Sequence, residues 1–279
     1  MTSASPRMSA CIVAYCDYEE VCAAVRSVLA HTPSPDFRLF VVDNASPDGC
    51  GQKLLAEDFG DPRVTVRALP ENLGFGKGHN SVLPDLAAMG SEIHFILNPD
   101  ILLTADTLTG IAAWMADHPA AAMATPQLFY PDGRRQDLPR RKPTPWLLLA
   151  RQLVERFPRG VFARANDHYL MRDEDLSVER PIQFCTGSFA AVRSEVFCKA
   201  GGFDPDYFMY VEDADLTQKM LQHGQVFLVP QFRAVHAWHR APMRDAGRFR
   251  MQLVSMGRYF KKWGVRSRAP RRPAEANGR

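Results

Sequence analysis

The sequence predicts one α/β domain built on a mostly parallel central sheet flanked by helices. Two features point to it. Short apolar runs of strand type alternate with stretches of helical period through the first hundred residues. Three of those runs end in Tyr15, Asp43 and Asn98-Pro99-Asp100, residue types that suit turns and ligands. The chain has 279 residues, 46% apolar and 23% charged, which is long enough and apolar enough for one large core with appendages.

The elements follow in order. Residues 11–15 (CIVAY) form a first buried strand, and 18–31 the helix after it. Residues 39–42 (LFVV) form a second strand, running into Asp43, Asn44, Ala45, Ser46 and Pro47, all turn-forming or helix-capping types. A helix near 52–59 and a strand at 64–68 come next, then a glycine-rich turn at 74–80 leading into another helix. Residues 93–97 (IHFIL) are the fourth strand. Ligands of such sheets collect at the carboxyl ends of the strands, which puts Tyr15, Asp43 and Asn98 to Asp100 on one rim.

The second half is less regular. Residues 126–175, rich in Pro, Arg and Asp, read as a substrate-facing insertion with one apolar helix near 146–157. A strand at 182–192 and a short helix at 194–200 precede the break at Gly201-Gly202-Phe203-Asp204. A helix at 213–223 and short strands at 226–229 and 234–236 follow. A basic amphipathic helix occupies 241–264, and 265–279 is a disordered basic tail, as 1–8 is a flexible start.

Charge and cysteines narrow the setting. The net charge is +3, and from position 231 onward thirteen Lys/Arg face only Asp245 and Glu275. On the 248–263 helix, Phe249, Leu253, Met256 and Phe260 fall at spacings of three and four, one apolar stripe with cations outside it. Either it packs on the domain with its charges solvated, or it attaches the protein to an anionic membrane surface. The six cysteines form no CxxC pair and no zinc-type spacing with histidine, so they read as thiols of a reducing compartment. No stretch has signal-peptide or membrane-spanning length. The expectation is a cytoplasmic protein, peripheral on the inner face of the cell membrane at most, with no nucleic-acid partner.

Five constellations suit chemistry. Asp43 at a strand end either caps the next helix or accepts the imide N–H of a pyrimidine base. The run from Asn72 through Gly74 to Asn80 either is a plain loop-to-helix turn or lets a diphosphate approach a helix N-terminus. Asn98-Pro99-Asp100 offers hard oxygen ligands to Mg²⁺ or Mn²⁺, or simply an Asx turn. Glu212-Asp213-Ala214-Asp215 opens a helix, where acids favour the macrodipole and where one carboxylate can serve as a general base. His236, His239 and Arg240 follow a short strand, in reach of a metal and a phosphate.

In order and spacing these stretches resemble glycosyltransferase family 2, of GT-A fold, close to bacterial rhamnosyltransferases. The carrying segments are IVAY (12–15), VVDNAS (41–46), ENLGFGKGHN (71–80), LNPD (97–100), CTGSFAAVRSEVF (185–197), GGFDPDYFMYVEDADL (201–216) and VHAWHR (235–240). The resemblance spans roughly 9–263, with the catalytic domain at 9–240. It implies an inverting transfer of a sugar, rhamnose first, from a dTDP- or UDP-sugar to a glycan or lipid-linked glycan. It makes Asp213 the base with Glu212 beside it, and Asp100 and His236 the ligands of Mg²⁺ or Mn²⁺. It puts Tyr15, Asp43, Asn72, Gly74, Asn80, Asn98 and Arg240 on the donor side, and Thr186, Gly187 and Ser188 on the acceptor side.

The chain departs from the family pattern at Asn98 where an aspartate is usual, at Cys16 where an asparagine is frequent, and at Ala241-Pro242 where a serine is frequent. A sugar nucleotidyltransferase would share the architecture but want a glycine- and arginine-rich loop where Cys16-Asp17-Tyr18-Glu19 stands. A non-catalytic nucleotide-sugar-binding protein would not need the Glu212-Asp213 pair.

Overall fold

Seven consecutive buried residues make β1 (Met8–Ala14) the spine of a nine-stranded sheet in a computed structural model that describes residues 6–237 and 246–266. The strand sends alternate side chains to opposite faces, so each face needs a cover. Met8, Ala10, Ile12 and Ala14 join a core roofed by α1 (Tyr18–Ala30), α2 (Cys50–Ala56) and α5 (Thr107–Asp117). Cys11 and Val13 join a second core under α4 (Leu83–Met89), α8 (Ser194–Lys199) and α9 (Glu212–Met220).

β2 (Phe37–Asp43) and β4 (Ile93–Leu97) flank β1 in parallel, and β3 (Val64–Ala68) extends the sheet beyond β2. The other side is mixed. β8 (Phe189–Arg193) enters antiparallel to β4, and β6 (Ala121–Phe129) antiparallel to β8. β9 (Gln225–His236) runs parallel to β6, and β5 (Ile101–Leu102) and β7 (Arg180–Pro181) pair antiparallel with β9.

Several elements differ from the sequence reading. The glycine-rich stretch is itself a helix, α3 (Phe75–Asn80), pressed onto β1. A Cβ on Gly76 would stand 2.7 Å from Phe203 Cβ, and one on Gly78 2.9 Å from Val13 Cγ1. Those glycines answer to close packing, not to an open phosphate cradle. Residues 126–129 belong to β6, so the insertion starts after Phe129 and carries two helices, α6 (Pro145–Leu153) and α7 (Val161–Tyr169). The strand expected at 182–192 is interrupted before Phe189, and the two short strands expected at 226–236 are one.

The C-terminal helix α10 (Ala246–Trp263) docks on the domain, though by only part of the expected stripe. Tyr259 is fully buried with Phe184, Tyr207 and Ala214, and Phe260 and Trp263 pack against them. Phe249 and Leu253 stay about half exposed, at 51% and 50%. Lys262, expected in solvent, is ion-paired with Asp204 and Asp215. Among the described residues no helix is long and apolar enough to cross a membrane. His239, Arg240, residues 1–5 and the tail from 267 lie outside the described residues.

The tight contact between α3 and β1 predicts that Gly78→Ala lowers stability by about 1–3 kcal/mol, the usual effect of overpacking a filled core. Urea unfolding followed by circular dichroism checks this, with an unchanged midpoint as the contrary result.

Candidate active site

Tyr210 (φ 71°) and Val211 (φ 70°) are two consecutive left-handed residues that turn the chain into α9, where Glu212 and Asp213 sit in the first turn. That backbone is unfavourable for non-glycine residues, and most so for a β-branched one, at roughly 1–3 kcal/mol each. Contacts on all sides hold it. Phe208 O accepts from Phe75 N at 3.2 Å, and Met209 O accepts from Ser255 Oγ at 2.9 Å. Asp206 O accepts from Arg258. Fourth in the helix, the fully buried Asp215 accepts from Trp263 Nε1 at 2.7 Å and meets Lys262 Nζ at 2.9 Å. Thus α10 clamps the start of α9.

Asp213 is aimed by the turn that interrupts the expected strand. Its Oδ2 accepts from Gly187 N at 3.2 Å and its Oδ1 from Ala214 N at 2.8 Å. In the same turn Thr186 Oγ1 and Ser188 Oγ lie 3.0 Å apart, and Ser188 O accepts from Asn98 N at 2.9 Å. The turn therefore joins the end of β4 to the start of α9. Burial raises the Asp213 pKa, opposed by the Gly187 N–H and by the positive charge of Arg140. Burial first, and the neighbouring Asp213 second, push Glu212 up to about 8. Arg140 lies 6.0 Å over the Tyr169 ring and 5.8 Å over Phe184, which fixes the cation near the acid pair.

A second cluster forms where β5 meets β9. Ile101 pairs with His236, so Asp100 Oδ1 comes within 3.3 Å of His236 Nε2. Gln136 sets the tautomer. Its Nε2 donates to the His236 carbonyl at 2.8 Å, which can only accept, so its Oε1 must receive the His236 Nδ1 proton at 2.9 Å. The Nε2 lone pair then faces the Asp100 carboxylate. Two electron-pair donors face each other stably only around a proton or a cation. A carboxylate oxygen beside an imidazole whose second nitrogen is anchored is a donor set that fits a divalent metal. Among the described residues no group of three or more His, Cys, Asp or Glu could hold a metal. Such an ion would be completed by substrate oxygens and water.

The donor-side residues divide. Tyr15 directly follows β1, with 45% of its surface exposed. Asp43 is buried and accepts from Ser46 Oγ at 2.5 Å and Ser46 N at 3.1 Å, while Ser46 Oγ accepts from Cys16 N at 2.9 Å. This turn-capping role uses part of the roughly four acceptor positions of a carboxylate, and an imide N–H could use another. Asn80 is committed elsewhere, its amide bridging Phe203 O and Phe203 N at 2.8 Å each. Asn72 Oδ1 accepts from Asn44 Nδ2 at 3.0 Å and from Gly74 N at 2.9 Å, and Gly74 O accepts from Asn44 Nδ2 at 3.1 Å. The Asn72 and Asn80 side-chain amides are thus engaged within the protein. Asn98 stands beside Asp100 on the rim, and Arg240 lies outside the described residues. Gln136, Arg140 and the Trp263–Lys262 clamp are the parts that sequence reasoning missed; Lys262 had been read only as a surface charge.

Comparison with known proteins adds the lineage. The family model described as glycosyl transferase family 2 matches residues 9–200. The chain is 28% identical over 220 residues to the N-acetylglucosaminyl-diphospho-decaprenol L-rhamnosyltransferase of Mycobacterium tuberculosis, spanning 74% of this chain and 68% of that protein. It is 25% identical over 242 residues to the rhamnosyltransferase WbbL of Escherichia coli, spanning 81% and 88%. Among solved structures, the mannosyltransferase PcManGT from Pyrobaculum calidifontis in complex with GDP-Man and Mn2+ is similar, with TM-score 0.63, 20% identity, and coverage of 96% of this chain and 67% of that one. GalNAc-T7 with UDP, GalNAc and Mn2+ is similar at TM-score 0.66 and 16% identity, covering 92% and 48%. These structural likenesses show the GT-A fold.

The clamp on Asp215 predicts that Trp263→Phe, which keeps the ring and removes the N–H, destabilises the protein by about 1–3 kcal/mol. Phe249→Ala, at an exposed position of the same helix, stays within about 0.5 kcal/mol of the parent. Denaturant midpoints of the two variants check the difference, and equal midpoints would contradict it.

Proposed function

The chain belongs to glycosyl transferase family 2, and from that membership we propose that it transfers rhamnose from a nucleotide-diphosphate sugar to an acceptor hydroxyl, with inversion. The setting is synthesis of a cell-surface polysaccharide or glycolipid. The observation that carries the proposal is the partly buried Asp213 carboxylate, held by the Gly187 N–H in a turn whose other end fixes the strand leading to Asp100. One turn thus couples a base to a charged rim.

Asp213 accepts the proton of the acceptor hydroxyl as that oxygen bonds to the anomeric carbon. The bond from that carbon to the diphosphate oxygen breaks, and its electron pair leaves with the diphosphate. Burial and the charge of Asp213 push Glu212 up to about 8, so of the two carboxyls Asp213 is the one assigned the negative charge in this mechanism. Arg140 steadies that charge. Thr186 and Ser188 would line the acceptor side. Asp100 and His236 would hold Mg²⁺ or Mn²⁺, with Gln136 fixing the imidazole. A divalent cation there supplies charge stabilisation for the leaving diphosphate.

The rhamnosyl assignment draws on the two relatives named as rhamnosyltransferases. On the donor, Tyr15 offers an exposed ring for stacking a base and Asp43 an acceptor for an imide N–H, which favours dTDP or UDP. The acceptor is a glycan or a lipid-linked glycan, the latter by likeness to the relative whose name includes diphospho-decaprenol. A lipid-linked acceptor would hold the enzyme against an anionic membrane surface on its cytoplasmic side.

Two measurements test this reading. With a panel of dTDP-, UDP- and GDP-sugars and Mg²⁺ or Mn²⁺, donor turnover is expected to be fastest with dTDP-rhamnose. A preference for a GDP-sugar over every pyrimidine donor would overturn the assignment. Asp213→Asn is expected to lower kcat by about 10²-fold or more while donor affinity is kept. Asp213 works only when ionised and its pKa is raised, so parent kcat falls as pH drops through a value above the ~4 of an ordinary aspartate. An acid limb at or below pH ~4 would remove Asp213 from the role.

A further inference from the structure

The helical hairpin of α6 and α7 carries a surface that the reaction does not use. The two helices share a small core of Leu147, Tyr169 and Leu170. Outward they present Trp146, Leu149, Phe157 and Val161, between 46% and 58% exposed. Trp146 and Phe157 both lean on Phe162, with ring centroids 5.7 and 5.8 Å apart. The result is an aromatic ridge running around the turn between the helices, with one ring face after another left to solvent.

The charges around the ridge are all but one of the same sign. From 142 to 166 the cations are Lys142, Arg151, Arg156, Arg159 and Arg164, against the single acid Glu155. Arg156, Arg159 and Arg164 are exposed and form no ion pair among the described residues. The adjoining segment behaves in the opposite way. Arg141 is paired with Asp173 and Glu174, Arg172 with Asp137 and Asp167, and Arg180 with Glu174. Arginines at the hairpin tip are therefore left for an anion outside the chain.

We propose that the α6–α7 hairpin is the surface by which the enzyme docks on an anionic lipid bilayer, its aromatic ridge at the headgroup boundary and its arginines on lipid phosphates. Trp146, with its N–H edge, suits that boundary, the apolar Phe157, Leu149 and Val161 suit its acyl side, and guanidinium groups suit phosphates in particular. The hairpin is rooted at the acid pair. Tyr169, the last residue of α7, lies under Arg140, whose charge acts on Asp213. A membrane under the hairpin brings a headgroup-borne hydroxyl toward the base. In that respect the inference rests on the lipid-linked acceptor proposed above. It differs from the sequence expectation, which gave the membrane contact to the helix at 248–263. That helix uses Ser255, Tyr259 and Trp263 to hold the domain, although Phe249 and Leu253 remain outside.

The test is co-sedimentation of the full chain with phosphatidylglycerol–phosphatidylcholine vesicles and with pure phosphatidylcholine vesicles, at low and high salt. Three double variants are compared: Trp146→Ser with Phe157→Ser, Arg156→Glu with Arg159→Glu, and Phe249→Ser with Leu253→Ser. All six side chains are exposed, and thermal melts confirm that each variant folds. The parent is expected to bind the anionic vesicles in a salt-sensitive way. Each hairpin variant should lose about ten-fold or more in partitioning, as the removal of two surface-proximal groups implies, and the α10 variant should stay within two-fold. Hairpin variants that bind like the parent, a loss confined to the α10 variant, or a parent that binds neither vesicle would overturn the proposal. Donor hydrolysis by the same proteins in vesicle-free buffer reports on the transferase reading separately.

Discussion

A buried carboxylate ties this active site together. Asp215 has no exposed surface, and besides a long contact from the Tyr207 hydroxyl its partners, Trp263 and Lys262, arrive from a helix almost fifty residues later. A buried charge without partners is costly, about 3–5 kcal/mol when one partner is removed, so the contact locks α10 onto α9. The same helix holds Met209 and Asp206 by their carbonyls. Between those anchors the backbone at Tyr210 and Val211 is forced into the left-handed region and delivers Glu212 and Asp213 into the site. The C-terminal helix thus helps to set where Asp213 stands and is not an appendage.

The rest of the site follows from how the sheet changes direction. Its parallel half would bring only strand ends to one rim. Inserting β8 antiparallel beside β4 creates the turn at Thr186, Gly187 and Ser188, which reaches Asn98 on one side and Asp213 on the other. The short antiparallel pairing of β5 with β9 then carries His236 to Asp100 across more than a hundred residues of chain. Gln136, from the start of the insertion, decides which imidazole nitrogen faces the carboxylate. Asp213 and the charged rim are thus connected through hydrogen bonds of the 186–188 turn.

Much of this was legible in the sequence, and the exceptions have physical causes. β1, β2 and β4 are runs of apolar residues buried on both faces, a pattern that needs no knowledge of neighbours. Asp43, Asp100 and the acid pair could be found because each ends a strand or opens a helix. The glycines at 76 and 78 left two readings open because a glycine chosen for close packing looks, in one dimension, like a glycine chosen for a ligand. The apolar face of α10 was legible only in part, for a related reason. Spacing identifies a stripe, but only the partner surface decides that Tyr259 and Trp263 are buried while Leu253 is not. Gln136 and Arg140 left no local signal, since their partners lie far along the chain.

The central claim is a single displacement in which Asp213 deprotonates the acceptor and the enzyme forms no covalent intermediate with the sugar. The most direct measurement is the anomeric configuration of the product, read by proton NMR during the first turnovers with dTDP-rhamnose and a defined acceptor. The account predicts a glycoside inverted relative to the donor. A product with retained configuration would contradict it.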